Sequence, residues 1–109
     1  ASQALRGLQR TTKTTITITS IQKNVAEFYN ITQSDIIGKK RVKQIVVPRQ
    51  IAMYLSRELT DYSLPKIGKE FGGKEHTTVL HAIDKIEEEL RTDNELQEQL
   101  NTLKAKLKA

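Results

Sequence analysis

The sequence contains no cysteine and no tryptophan, only two prolines and five glycines among 109 residues, and is 5% aromatic. Without cysteine there is no disulfide framework, no cysteine-ligated zinc and no thiol nucleophile, and a reducing, intracellular setting is expected. No apolar run approaches the roughly 20 residues that a membrane-spanning helix needs. The first residues also lack the continuous hydrophobic stretch of a signal peptide, so no leader is expected. A chain of this length buries roughly 65% of the surface its unfolded form exposes, enough for one core, which excludes large catalytic scaffolds. The last absence is local: between residues 39 and 57 there is no Asp or Glu.

Positive charge is what the sequence does have. Lys and Arg number 18 against 13 Asp and Glu, a formal net charge of +5, and 37% of the residues are hydrophobic. The mean hydropathy of -0.52 suits a soluble globule. Residues 1–38 carry +2 and residues 58–109 carry -3, whereas the acid-free stretch holds Lys39, Lys40, Arg41, Lys43, Arg49 and Arg57 for a local +6. A loop that merely aids solubility would mix both signs. A polyanionic partner is therefore expected, nucleic acid first and an acidic membrane surface second.

The apolar residues recur at helical spacing almost throughout. Thr19-Ser20-Ile21-Gln22 has capping-box spacing and predicts a helix over 20–29, with Ile21, Val25 and Phe28 inward. Residues 32–37 predict one further turn, and Gly38 opens the basic loop. Proline is favoured at the first helical position, so Val47-Pro48 predicts the start of the next helix, with Ile51, Leu55 and Leu59 as its core stripe and an end near Thr60. Ser63 and Pro65 predict a short helix carrying Ile67 and Phe71, ended by Gly72-Gly73. A longer helix over 75–91 turns Val79, Ile83, Ile86 and Leu90 inward. Thr92-Asp93-Asn94-Glu95 then forms a second capping box before a last helix with Leu96, Leu100, Leu103 and Leu107. Residues 1–10 predict a short helix followed by a Thr-rich linker, and only Ile16-Thr17-Ile18 alternates like a strand. The expected class is all-α: a small helical domain over 16–109 with a helix-turn-helix, a basic loop and a C-terminal helix, preceded by a linker over 1–15.

Residues 63–91 have the layout of a helix-turn-helix, whose second helix enters the DNA major groove and reads bases from its N-terminal residues. About 100° per residue places Thr77, His81, Asp84 and Glu88 opposite the buried stripe, with Lys74, Thr78 and Lys85 beside them. Histidine donates or accepts, and threonine offers both a hydroxyl and a methyl for the thymine C5 methyl. Glu87, Glu88 and Glu89 would be repelled by phosphates, so only the N-terminal half suits DNA. The plainer alternative for His76, Thr77 and Thr78 is an ordinary turn whose polar groups cap the helix. Arg49, Gln50 and Arg57 are placed to meet phosphates or bases beside this helix. The loop with Lys39, Lys40, Arg41 and Lys43 can reach the neighbouring minor groove, whose narrow A·T-rich form accepts arginine well; Arg41 is the expected insertion. His76 and His81 are five apart, about 140° around a helix, and cannot chelate one metal. No metal site, catalytic residue or cofactor is expected in the chain.

The run Pro48-Arg49-Gln50-Ile51-Ala52-Met53-Tyr54-Leu55, then Glu58-Leu59-Thr60, Ser63-Leu64-Pro65-Lys66-Ile67-Gly68, and Phe71-Gly72-Gly73-Lys74-Glu75-His76-Thr77-Thr78-Val79-Leu80-His81-Ala82 closely resembles the C-terminal DNA-binding domain, domain IV, of the DnaA family of bacterial chromosomal replication initiators. The resemblance covers residues 16–108. It implies binding to double-stranded DNA at DnaA boxes, asymmetric sites of the TTATCCACA type at the replication origin, and a cytoplasmic, nucleoid-associated location. It implies Arg41 in the minor groove, Glu75, His76, Thr77, Thr78 and His81 at the major groove, Arg49 and Gln50 in support, and Arg57 and Pro65 near the backbone. Lys39, Lys40, Lys43 and Lys74 join the support and phosphate set. Many family members carry aspartate where this chain has Glu75; the longer carboxylate can still accept from a cytosine amino group. Residues 1–15 resemble the end of the preceding ATPase domain and its connecting helix. ATP binding and oligomerisation on the origin are implied for the longer parent, since nothing here reads Gly-x-x-x-x-Gly-Lys-Ser/Thr; the isolated domain is expected to be monomeric. Leu5, Arg6, Leu8, Arg10 and Lys13 resemble the family's acidic-phospholipid contact, with a plain linker helix as the alternative. A helix-turn-helix transcriptional regulator is the nearest rival reading, although dimeric regulators need palindromic sites.

Overall fold

The computed structural model describes residues 16–108; the helix, linker and phospholipid-contact readings for residues 1–15 lie outside them. The elements are α1 (Ile18–Phe28), α2 (Gln33–Ile37), α3 (Lys43–Leu59), α4 (Leu64–Glu70), α5 (His76–Leu90) and α6 (Asn94–Lys108). The domain is all-α, and no strand occurs among the described residues; Ile16-Thr17-Ile18 is the entry into α1.

Three helix starts differ from the sequence expectation, each for a local reason. α1 begins at Ile18 because Thr17 is its cap: the Thr17 hydroxyl accepts from the Ser20 N–H at 3.1 Å, and the Thr17 N–H donates to the Ser20 hydroxyl at 3.0 Å. The capping box is thus Thr17 with Ser20, and the shift brings Ile18 into the core. α3 begins at Lys43, not at Val47-Pro48. Pro48 lies inside the helix, where its missing N–H leaves only the carbonyl of exposed Gln44 to water. Lys43 therefore belongs to a helix, and the basic loop shortens to residues 38–42. α6 is capped by Asp93, whose carboxylate accepts from the Leu96 N–H at 3.0 Å, and not by Thr92. The Ser63 cap and the α4 start match expectation.

α3 is the hub, packing on α1, α2, α4 and α5, while α6 closes the far side against α1 and α5. Six consecutive α3 residues, Ile51 to Ser56, are buried, so this helix has a core face all round at its centre. Ile21, Val25, Ile36, Ile67, Phe71, Val79, Ile86 and Leu103 fill the space around it. The half-buried Tyr29 hydroxyl, its pKa pushed up to about 12 by desolvation, donates to the Gln99 side chain of α6 at 2.8 Å.

Gln22 does not cap a helix. It is 2% exposed and ties three elements together: its amide donates to the Glu70 carbonyl at the end of α4 at 2.9 Å, and its oxygen accepts from Gln33 of α2 at 3.1 Å. Gln22→Ala leaves the part-buried Glu70 carbonyl without this donor, and the expected loss is about 1 kcal/mol, read from the urea midpoint. An unchanged midpoint would show that water replaces the amide.

Candidate nucleic-acid interface

α4, the turn and α5 form the helix-turn-helix, and two glycines set its geometry. The Gly68 carbonyl accepts from the Gly73 and Lys74 N–H groups at 3.1 and 2.8 Å, drawing the turn against α4 so closely that a Cβ on Gly68 would collide with the Lys74 carbonyl. Gly72 takes φ +86°, a left-handed conformation that side chains rarely adopt, and a Cβ there would stand 2.5 Å from the Ile37 carbonyl. The turn thus rests directly on the end of α2.

α5 leaves this turn with its first-turn side chains unused. Glu75 occupies the N-cap position with extended backbone, but no side chain caps the helix, so the capping alternative for this turn does not hold. Glu75, His76, Thr77, Thr78 and His81 are all exposed, and Val79, Ala82, Ile83 and Ile86 turn inward. The helix therefore ends in free N–H groups and the positive end of its dipole, an arrangement that favours anions. Asp84, Glu87, Glu88 and Glu89 are exposed further along.

The basic loop is held from two sides. Arg49 of α3, 7% exposed, donates from Nε to the Ile36 carbonyl at 3.0 Å, from one terminal nitrogen to Lys40 at 2.9 Å and from the other to Asp35 at 2.8 Å. Lys74 Nζ donates to Ile37 at 3.5 Å, to Gly38 at 3.1 Å and to Phe71 at 3.1 Å. Two cations thereby serve the carbonyls that a helix C-terminus leaves unpaired, where positive charge is also favoured by the dipole. Burial lowers the pKa of both groups; the charges of Arg49 and Lys39 lower Lys74 further, and nearby Asp35 acts oppositely on Arg49. The Asp35 carboxyl is held below its usual range chiefly by the Thr32 N–H, with the Thr32 hydroxyl and Lys40 adding. Lys40 approaches Asp35 at 3.5 Å.

Removing Arg49 from the free cations leaves five exposed ones in the acid-free stretch: Lys39, Lys40, Arg41, Lys43 and Arg57. Arg57 also donates to the Tyr62 carbonyl at 3.0 Å, bracing the segment before α4, on which Pro65 is exposed. The basic loop and the first turn of α5 face one another. Arg41, Lys39, Lys74 and Thr78 line a single open cleft of about 390 Å³. On the other side of Lys74, a groove of about 330 Å³ between α3 and α5 is lined by Gln50, Thr78, His81 and Lys85, and the buried Gln50 Oε1 has no hydrogen-bond partner. The structure therefore brings together Arg41, Thr78, His81, Gln50 and Lys74, and puts Arg49 beneath them. The parts that composition and spacing did not reveal are the α2 carbonyls and Asp35, although Thr32 and Asp35 carry a capping-box spacing that marks this helix. Among the described residues no group of His, Cys, Asp or Glu is arranged to hold a metal, and no helix is long and apolar enough to cross a membrane.

Comparison with known proteins gives consistent matches. A family model described as the bacterial DnaA protein helix-turn-helix matches residues 18–86. The chromosomal replication initiator protein DnaA of Limosilactobacillus reuteri (strain DSM 20016) is 73% identical over 109 residues, covering 100% of this chain and 25% of that protein. The protein of the same name from Lactiplantibacillus plantarum is 55% identical, covering 99% of this chain and 24% of its own length. The chain thus spans about a quarter of the curated relatives it matches. A crystal structure of a DNA replication initiation factor superposes with a TM-score of 0.75 at 36% identity, covering 83% of this chain and 27% of that one.

The Arg49 contacts need a planar fork that reaches three carbonyls at once, which a single ammonium cannot reproduce. Arg49→Lys is expected to lower stability by about 1–3 kcal/mol in thermal melts and to speed amide exchange over residues 38–42. Unchanged exchange there would contradict the anchoring role.

Proposed function

The chain belongs to the bacterial DnaA helix-turn-helix family, and on that premise we propose that it binds double-stranded DNA at short asymmetric DnaA boxes and so serves initiation of chromosome replication. The observation that supports this most is the shared cleft, in which the exposed, uncapped first turn of α5 stands beside a basic loop already fixed in place. α5 enters the major groove end-on. Thr77 and Thr78 meet thymine methyls and acceptors, His76 and His81 hydrogen-bond base edges or phosphate, and the Glu75 carboxylate accepts from a cytosine amino group. Arg41 enters the adjoining minor groove, where A·T pairs concentrate negative potential. Lys39, Lys40, Lys43 and Arg57 meet phosphates, Gln50 and Pro65 flank the site, and Arg49 supports it from beneath.

The acidic second half of α5 stays off the duplex, which limits contact to one short stretch of each groove. An asymmetric reader of this kind needs no palindrome, unlike a dimeric helix-turn-helix regulator. Binding is its role; ATP hydrolysis, and assembly on the origin, belong to the longer parent, which residues 1–15 join to this domain. An acidic-phospholipid contact through Leu5, Arg6, Leu8, Arg10 and Lys13 would lie at that junction.

Selection from random duplexes is expected to enrich one asymmetric box; enrichment of palindromes would favour the regulator reading. With about five phosphates neutralised, log affinity should fall with log salt at a slope of roughly -4 to -5, and a slope near zero would exclude DNA as the partner. Thr78→Ala should weaken box binding by about 1–3 kcal/mol and leave random DNA almost unaffected, whereas Arg57→Ala should weaken both alike. Equal losses in both variants would contradict the division between reading and phosphate contact.

A further inference from the structure

Resting on the DNA-binding reading above, we propose that Lys74 is a positioning residue for minor-groove specificity: it joins the loop carrying Arg41 to the turn carrying Thr77 and Thr78, so that the preference for A·T pairs passes through a lysine bonded to protein.

An ammonium has three donors, and those of Lys74 are met by three carbonyls. Two of them, Ile37 and Gly38, lie where α2 hands over to the basic loop, and the third, Phe71, lies in the helix-turn-helix turn. Lys74 therefore ties its own turn to a segment 36 residues earlier in the sequence. None of its protons is left pointing to a phosphate in this arrangement, which distinguishes it from the exposed Lys39, Lys40 and Lys43. The same junction is tightened from the backbone side by Gly72, whose approach to the Ile37 carbonyl leaves no room for a Cβ.

On the loop's far side Arg49 holds the Lys40 carbonyl at 2.9 Å. Gly38 and Lys40 are thus fixed by two cations, one from the turn before α5 and one from α3, and Arg41 is the next residue along. Lys74 itself stands in the wall of the cleft between Arg41 and Thr78. Burial and the nearby charges of Arg49 and Lys39 oppose a cation at this place, so the carbonyls hold it there. Without it, the hydrogen bonds from the turn to Ile37 and Gly38 are lost, the packing of Gly72 on Ile37 alone remains of the contacts described above, and the angle between the two readers loosens. Arg41 would then keep its charge and lose its aim, a loss confined to the minor groove.

Inosine·cytosine and guanine·cytosine pairs present the same major-groove face and differ only by the minor-groove amino group. Each A·T pair of the selected box is replaced in turn by one and then the other, and affinities are measured with the full chain. The unaltered protein should prefer inosine over guanine at the Arg41 position by about tenfold, and should prefer thymine over uracil at the positions facing Thr77 and Thr78. Lys74→Met should bring the inosine preference to within about twofold of unity while the thymine preference persists, and adding it to Arg41→Ala should change the inosine ratio no further. If Lys74→Met keeps the inosine preference and weakens all duplexes alike with a shallower salt slope, Lys74 is a phosphate contact and the proposal is overturned. Loss of both preferences would assign it to general stability and overturn it too. If no duplex is enriched and the unaltered protein binds the family's box no better than random DNA, the DNA-binding reading itself fails; if it binds the box but lacks the inosine preference, the proposal for Lys74 is overturned.

Discussion

A helix of five residues cannot satisfy its own carbonyls, and the organisation of the domain follows from how those of α2 are served. Arg49 and Lys74 donate to the carbonyls of Asp35, Ile36, Ile37, Gly38 and Lys40. Because Arg49 comes from α3 and Lys74 from the turn before α5, the same bonds that finish α2 also fix where the basic loop leaves it. A cation at a helix C-terminus is favoured by the dipole as well, so two positive charges are tolerated close together in a partly buried place. The arrangement separates two uses of positive charge that look alike in composition: some cations are inside, holding backbone carbonyls, and others are outside, exposed to solvent.

How far the sequence was legible depends on the distance over which each feature is encoded. The helices, their inward residues and the turn at Gly72-Gly73 are local, set by apolar spacing and glycine, and were readable. Caps were misplaced by one or two residues wherever several hydroxyl or carboxyl residues stand in a row, as at Thr17, Thr19 and Ser20 or at Thr92 and Asp93, because spacing alone does not choose among them. The start of α3 was misjudged because proline is usually a first-turn residue, and tolerance of Pro48 inside the helix depends on the exposure of Gln44. Gln22 and Arg49 were misread for a different reason. Both bond to backbone carbonyls of other elements, and no side-chain pattern records where a distant carbonyl will point. The family resemblance groups Arg49 with Arg41 among the candidate interface residues, and only the packing sets the buried Arg49 apart from the exposed Arg41.

The charge distribution gains meaning from this division. The local +6 between residues 39 and 57 is in effect five outward charges and one inward one. The acidic residues of α5 begin at Asp84, past its exposed first turn, and α6 packs on α1 and α5. On the proposed reading a polyanion would be steered toward the face where exposed cations and the uncapped N-terminus of α5 lie together.

The pinned loop has a mechanical consequence. A reader whose two grips are fixed relative to one another adapts little, so the fit between them has to be made by the duplex. On the proposed reading, base pairs lying between the grips would influence binding through the stiffness of their stacking, with flexible pyrimidine–purine steps accommodating the imposed path more readily than rigid tracts. Part of the sequence preference would then reside at positions that no side chain touches.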